Sequence, residues 1–183
     1  MQKVVLSEID LIHGPVNLPK GFEINRDKIK NDIIKSFIDQ KKINTNPKAY
    51  SYEDYEVPFS QPLQWFKDYI RDNIRVEYGF TLVEKLQHGN VLHPNEKSYL
   101  RHQIDPVDLR NSPDYTLIYA LDCLKDSCEL VIEYDDNRRK NRTWHLPVHN
   151  NHFYMFPATQ KYFITKNNSK QLNVLLTINY EYI

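Results

Sequence analysis

Hydrophobic positions along the chain change their period once, near residue 80. Over 26–41, Ile29, Ile33, Ile34, Phe37 and Ile38 recur at helical spacing, and Lys28, Lys30, Asp32, Lys35 and Asp39 take the other face. Asn25 is a good N-cap just ahead of them. This pattern predicts an amphipathic helix that lays one face on a core. A second helix is predicted after Ser60. Its apolar stripe is Trp65, Phe66, Tyr69, Ile70 and Ile74, Pro62 sits in its first turn where a missing N–H does no harm, and Gly79 closes it. Ahead of both helices, Val4, Val5, Leu6, Ile9, Leu11 and Ile12 alternate loosely over 2–12, which predicts an opening strand that Pro15 and Pro19 interrupt. Residues 42–59 are polar, Tyr-rich and irregular, a long connection of the kind that serves function or wraps a surface.

From residue 80 the period is two. FTLVEKLQ, SYLRHQI, YTLIYALD, ELVIEY, TWHLPV, HFYMF, KYFIT and NVLLTINYEY are short, rich in β-branched and aromatic residues, and separated by turn residues. DDNRRKN (135–141) reads as a hairpin loop, with HNN (149–151) and KNNSK (166–170) as further connections. Eight strands in this span predict a mostly β fold, an antiparallel jelly roll with two N-terminal helices covering one outer sheet face. We expect one domain over 1–183, with the opening strand and helices in 1–75 and the roll in 76–183.

Composition narrows the function classes. Lys+Arg and Asp+Glu are both 24, which gives no case for nucleic-acid or anionic-membrane binding and little self-repulsion against assembly. No apolar run approaches the ~18 residues of a membrane span, and the start MQKVVLSEIDLIHG is too charged for a signal peptide. The two cysteines, Cys123 and Cys128, read as free thiols of a cytoplasmic protein, with a disulfide across a tight turn as the alternative.

Several groups carry candidate chemistry. His145, His149 and His152 are the densest histidine cluster, and His88 and His93 flank Gly89-Asn90 as a loop pair. Arg138 and Arg139, with Lys140 and Arg142, form a basic cluster that suits a phosphate or acidic partner, or a solvated hairpin tip. Tyr50, Tyr52 and Tyr55, with Phe59 and Trp65, are aromatics that either anchor a partner surface or pack onto the sheet.

The last third runs strand, hairpin, strand, Phe156-Pro157-Ala158, strand, polar turn, and a final strand ending Thr177-Ile178-Asn179-Tyr180. This order resembles the double-stranded β-helix of the 2-oxoglutarate/Fe(II)-dependent oxygenases over roughly 76–182, and looks most similar to small members from marine bacteriophages. The resemblance implies Fe(II) held by a His-x-Asp/Glu pair and a distal His, and 2-oxoglutarate held by an Arg on the last strand. This sequence departs from that pattern. Tyr162 stands at the distal His position and Asn173 at the Arg position, and no His-x-Asp/Glu precedes YTLIYALD. The nearest residues are His102, Asp105 and Asp108. His102 and Asp105 are spaced i, i+3, which on a strand sends them to opposite faces unless a bulge intervenes.

The expectation is therefore a non-catalytic jelly-roll protein without cofactor. It would bind a protein partner or self-assemble, as a phage virion or accessory component in the host cytoplasm or the particle. The alternative is an atypical Fe(II)/2-oxoglutarate oxygenase using His102, Asp105 or Asp108, and one histidine of 145–152.

Overall fold

The change of period at residue 80 is the boundary between a helical layer and a pair of sheets. The computed structural model describes residues 9–43, 54–137 and 140–183. Helix α1 runs Arg26–Ile43 and α2 runs Gln61–Tyr78. The strands are β1 (Ile12–Pro15), β2 (Leu82–Leu92), β3 (Tyr115–Asp122), β4 (Glu129–Asn137), β5 (Lys140–Pro147), β6 (His152–Pro157), β7 (Lys161–Ile164) and β8 (Asn173–Tyr182).

The helix ends follow local chemistry. The Asn25 side chain accepts the Lys28 N–H at 3.0 Å, satisfying one donor that the first turn leaves open. At the far end of α2, Gly79 takes φ 80°, and its N–H bonds the Arg75 carbonyl at 3.1 Å. Ser60 precedes α2 as expected, but its hydroxyl makes no capping bond and is buried without a partner.

The strands pair antiparallel into two sheets of order β1-β6-β3-β8-β2 and β5-β4-β7. This is the mostly β jelly roll with two helices that the alternation predicts. Two elements differ from the sequence reading. The opening strand lies at Ile12–Pro15 on a sheet edge, where the proline's missing donor costs no ladder bond, and residues 2–8 of the expected strand lie outside the described residues. SYLRHQI does not form a full strand. It runs beside β7 through the Arg101–Tyr162 bridge and the Ser98 N–H to Ile164 carbonyl bond at 3.0 Å. In the long connection, Tyr55 bridges Gly89 through two backbone bonds of 2.9 and 2.8 Å.

Parity along β8 divides the protein's interior in two. Val174, Leu176, Ile178 and Tyr180 face the helices, meeting Ile29, Ile33, Leu63, Phe66 and Ile70. Phe66 stacks on Tyr119 with ring centroids 4.1 Å apart. Full burial of each such side chain contributes about 1.5–3 kcal/mol. Trp65, placed on the apolar stripe by the sequence, is half exposed, and Leu63 takes a buried place on α2. The other parity of β8, starting with Leu175, faces between the sheets towards Ile118, Leu130, Ile132, Tyr154, Phe156 and Ile164. Gly89 is what lets α1 seat on β2: a Cβ there would lie 2.4 Å from Ile33 Cγ2. Among the described residues no helix is long and apolar enough to cross a membrane.

Candidate functional site

Between the two sheets, the side chains change character along the strands. Leu92, Ile118, Ala120, Ile164 and Leu175 are apolar. One or two inward positions further along β2, β3, β7 and β8 stand His88, Asn90, Thr116, Tyr162, Thr177 and Asn179, all buried. Buried polar groups are tolerated where they satisfy one another, and most of these do.

Two networks account for them. In the first, Thr116 Oγ1 donates to Asn179 Oδ1 (3.1 Å), Asn179 Nδ2 to Gln103 Oε1 (3.1 Å), and Gln103 Nε2 to Tyr162 Oη (3.0 Å). Burial raises the Tyr162 phenol above its usual pKa, so it stays protonated. In the second, the Asp54 carboxylate enters from the segment joining the helices. Its Oδ1 meets Arg101 Nη1 at 2.7 Å, His88 Nε2 at 3.1 Å and Asn90 Nδ2 at 3.3 Å. Asn90 Oδ1 in turn accepts from Thr177 Oγ1 at 2.8 Å. Burial holds His88 down at about 4, with the Asp54 charge acting the other way and Arg101 reinforcing burial. Its Nδ1 is buried with no partner.

A cleft of about 320 Å³ opens beside the first network, lined by Lys85, Leu86, Gln103, Asp105, Asp108, Ser112 and Asn179, among others. A register shift between Glu84 and Leu86 in β2 brings Lys85 and Leu86 to the same lining, and Lys85 pairs there with Glu181.

The sequence candidates fall in different places. Gln103 lines the cleft, whereas its neighbour His102 is exposed. Asp105 lines the cleft but is exposed, and its Oδ1 accepts the Val107 N–H at 2.8 Å. Asp108 directs both oxygens at Asn111, holding a turn of 3-10 helix at Leu109–Asn111. His145 pairs with Glu129 at 3.0 Å, and the His149 and His152 rings lie 5.3 Å apart at the turn between β5 and β6. Asn173 is buried, donating to Ser127 Oγ (2.9 Å) and Cys128 Sγ (3.2 Å). It lies six positions along β8 from Asn179, about 20 Å of strand. Cys123 and Cys128 are free and buried, and their mutual hydrogen bond together with burial pushes the Cys123 thiol up. Tyr55 is a core residue set edge-on to Phe37 at 5.2 Å. Tyr50, Tyr52, Arg138 and Arg139 lie outside the described residues.

Sequence reasoning missed Gln103, Arg101 and Asp54, and misplaced His88. The signal for the first was Gln103-x-Asp105, an i, i+2 pair ahead of β3 with glutamine in place of histidine. His88, read as a loop residue, is an inward residue of β2.

The Fe(II) set implied by the resemblance can be tested on these residues. At the positions in question stand an amide, a carboxylate and a protonated phenol. The Gln103 oxygen is already bonded to Asn179, and its nitrogen to Tyr162. Fe(II) sites of this kind need two imidazoles and a carboxylate with open positions. The donors present do not fit that metal. Among the described residues no three His, Cys, Asp or Glu side chains group as ligands.

No protein-family model matches the sequence, and neither does any curated protein. Solved structures do match in fold. AviO1 from Streptomyces viridochromogenes Tue57 aligns with TM-score 0.59 at 12% identity, over 93% of this chain and 89% of that one. A Pseudomonas putida prolyl-4-hydroxylase aligns with TM-score 0.56 at 12% identity, over 93% and 91%. The viral collagen prolyl hydroxylase vCPH from Paramecium Bursaria Chlorella virus-1, solved as a 2OG complex, aligns with TM-score 0.59 at 10% identity, over 93% and 94%. At such identities the likeness is one of fold: the chain shares with these proteins a mostly β double-stranded β-helix with two helices ahead of it.

Proposed function

We propose that this chain is a binding protein on an oxygenase scaffold, without the Fe(II) chemistry of that scaffold. The observation that carries the reading is the Gln103–Tyr162 hydrogen bond of 3.0 Å, which ties the phenol at the position that the resemblance assigns to the distal histidine into an amide chain running to Asn179. Each of these polar atoms already has a protein partner, so a metal entering there would have to break the network before it found a ligand. The cleft above it offers amide, hydroxyl, carboxylate and ammonium groups, a lining suited to a small polar molecule.

A second reading is an atypical 2-oxoglutarate/Fe(II) oxygenase, and the solved structures favour it, since they include a prolyl-4-hydroxylase, a viral collagen prolyl hydroxylase and an alpha ketoglutarate dependent carbocyclase. One experiment separates the two. The purified chain is titrated anaerobically with Fe(II), with and without 2-oxoglutarate, and then exposed to oxygen while succinate is measured. The binding reading expects neither stoichiometric iron nor succinate. One equivalent of iron that Asp105→Ala abolishes, with succinate formed, establishes the oxygenase.

A further inference from the structure

The connection between β3 and β4 sets two thiols against each other. The Ser127 N–H donates to the Leu124 carbonyl at 3.1 Å, closing a turn in which Asp126 takes φ 58°. Cys123 and Cys128 are the residues on either side of that turn. In a regular ladder, flanking positions of this kind have Cα atoms about 4.5 Å apart, inside the span of about 4.4–6.8 Å that a disulfide bridges. Both sulfurs also reach the start of β8. Cys123 Sγ donates to the Val174 carbonyl at 3.9 Å, and Cys128 Sγ accepts from Asn173 Nδ2 at 3.2 Å. The two thiols hydrogen-bond each other, and both are free. Each cysteine is 3% exposed, whereas Leu124, Lys125 and Asp126 between them are exposed, so it is this turn that opens when a reagent reaches the sulfurs.

We propose that Cys123 and Cys128 form a reversible dithiol–disulfide site, oxidised by a small-molecule disulfide, whose closed bond clamps the two sheets together at this end. The two sulfurs take unequal parts. Hydrogen bonds from Cys123, from Ser127 Oγ at 3.9 Å and from Asn173 Nδ2 hold the Cys128 thiol below its ordinary value against the effect of burial, whereas Cys123 is pushed up. The Cys128 thiolate attacks one sulfur of the reagent and expels the other half as a thiolate, which takes the Cys123 proton. The Cys123 sulfur then attacks Cys128 and expels the second half, which takes up the proton that Cys128 gave to solvent. Two protein thiols are oxidised to one disulfide, and the reagent is reduced to two thiols. The new bond joins the end of β3, in the five-stranded sheet, to the start of β4, in the three-stranded one. This site lies at the Asn173 end of β8, away from the cleft at Asn179, and stands whether or not the chain binds iron.

The test is a redox titration of the folded chain. Without denaturant, the native protein is equilibrated in glutathione buffers from fully reduced to fully oxidised, quenched with acid, alkylated and weighed by mass spectrometry. The site predicts loss of two hydrogens in one step, reversed by dithiothreitol. Trypsin, cutting after Lys125, should then give two peptides that stay joined until they are reduced. The oxidised chain should melt about 5 °C above the reduced one, the shift that closing so short a loop brings to a chain of this size. Cys123→Ser and Cys128→Ser cannot close the bond and should show no such rise in oxidised glutathione. A native chain that keeps both thiols in oxidised glutathione, or loses them only in urea, overturns the site. An oxidised chain that melts no higher than the reduced one, or an equal rise in either serine variant, overturns the clamp.

Discussion

Lowering the pH forces a proton onto His88, and the size of the resulting destabilisation follows from where that imidazole sits. Burial holds it at about 4 in the folded chain, against an ordinary value of 6.5. Its folded pKa is thus depressed. Between these values the unfolded chain binds the proton and the folded chain does not, so stability falls as pH drops below 6.5 and levels off once the folded pKa is passed. At about pH 4.5 the loss amounts to roughly 2.5 kcal/mol relative to neutral pH, at about 1.36 kcal/mol per pKa unit. Paired carboxylates lose stability in the same range, so the measurement has to be a difference. Urea unfolding, followed by tryptophan fluorescence at about pH 7 and about pH 4.5, is compared for the native chain and His88→Gln, whose amide still donates towards Asp54 and does not titrate. The native chain should lose about 2 kcal/mol more than the variant. Equal losses would refute a neutral, buried His88.

Two further substitutions probe what the polar residues and Gly89 do. Replacing Gln103 and Tyr162 with histidine restores an imidazole-x-carboxylate pair and a facing imidazole. The double variant should bind Fe(II) or Zn(II) at least ten times more tightly than the native chain by calorimetry, and unchanged affinity would mean that these positions do not converge. Gly89→Ala should cost about 1–3 kcal/mol by overpacking against Ile33, read from the urea midpoint. In Gly89→Ala/Ile33→Ala the combined loss should fall short of the sum of the single losses by about 1 kcal/mol or more, and strict additivity would refute the contact.

Most of the fold was legible because burial writes a period into the sequence. β3 and β8, buried on both faces, stood out as the apolar runs YTLIYALD and NVLLTINY, and both helices announced themselves through Ile29, Ile33 and Phe37 or Phe66, Ile70 and Ile74. The misreadings have a shared cause. Gly89-Asn90 resembles a turn, so His88 was placed in a loop; in fact the glycine makes room for Ile33 and the asparagine is an inward strand residue. Pattern alone cannot distinguish a glycine that bends the chain from one that a helix presses against. Gln103 went unnoticed because a glutamine carries no catalytic signature of its own, and its role depends on Tyr162, 59 residues away. Asp54 lay in an irregular connection, where nothing in the sequence says which carboxylate turns inward.

The polar residues between the sheets also bear on how the strands choose their alignment. An apolar interior accepts a pairing shifted by two residues with modest loss, because one aliphatic side chain replaces another. Here Thr116 stands directly opposite Asn179, and Asn90 reaches Thr177 diagonally across β2 and β8. A two-residue slip of β8 would break both pairings, setting Thr116 opposite Thr177 or Glu181 in place of Asn179, at about 1–3 kcal/mol for each buried group left unpaired. The network thus acts as a key for strand alignment, penalising misaligned pairings during folding whatever ligand the mature protein holds.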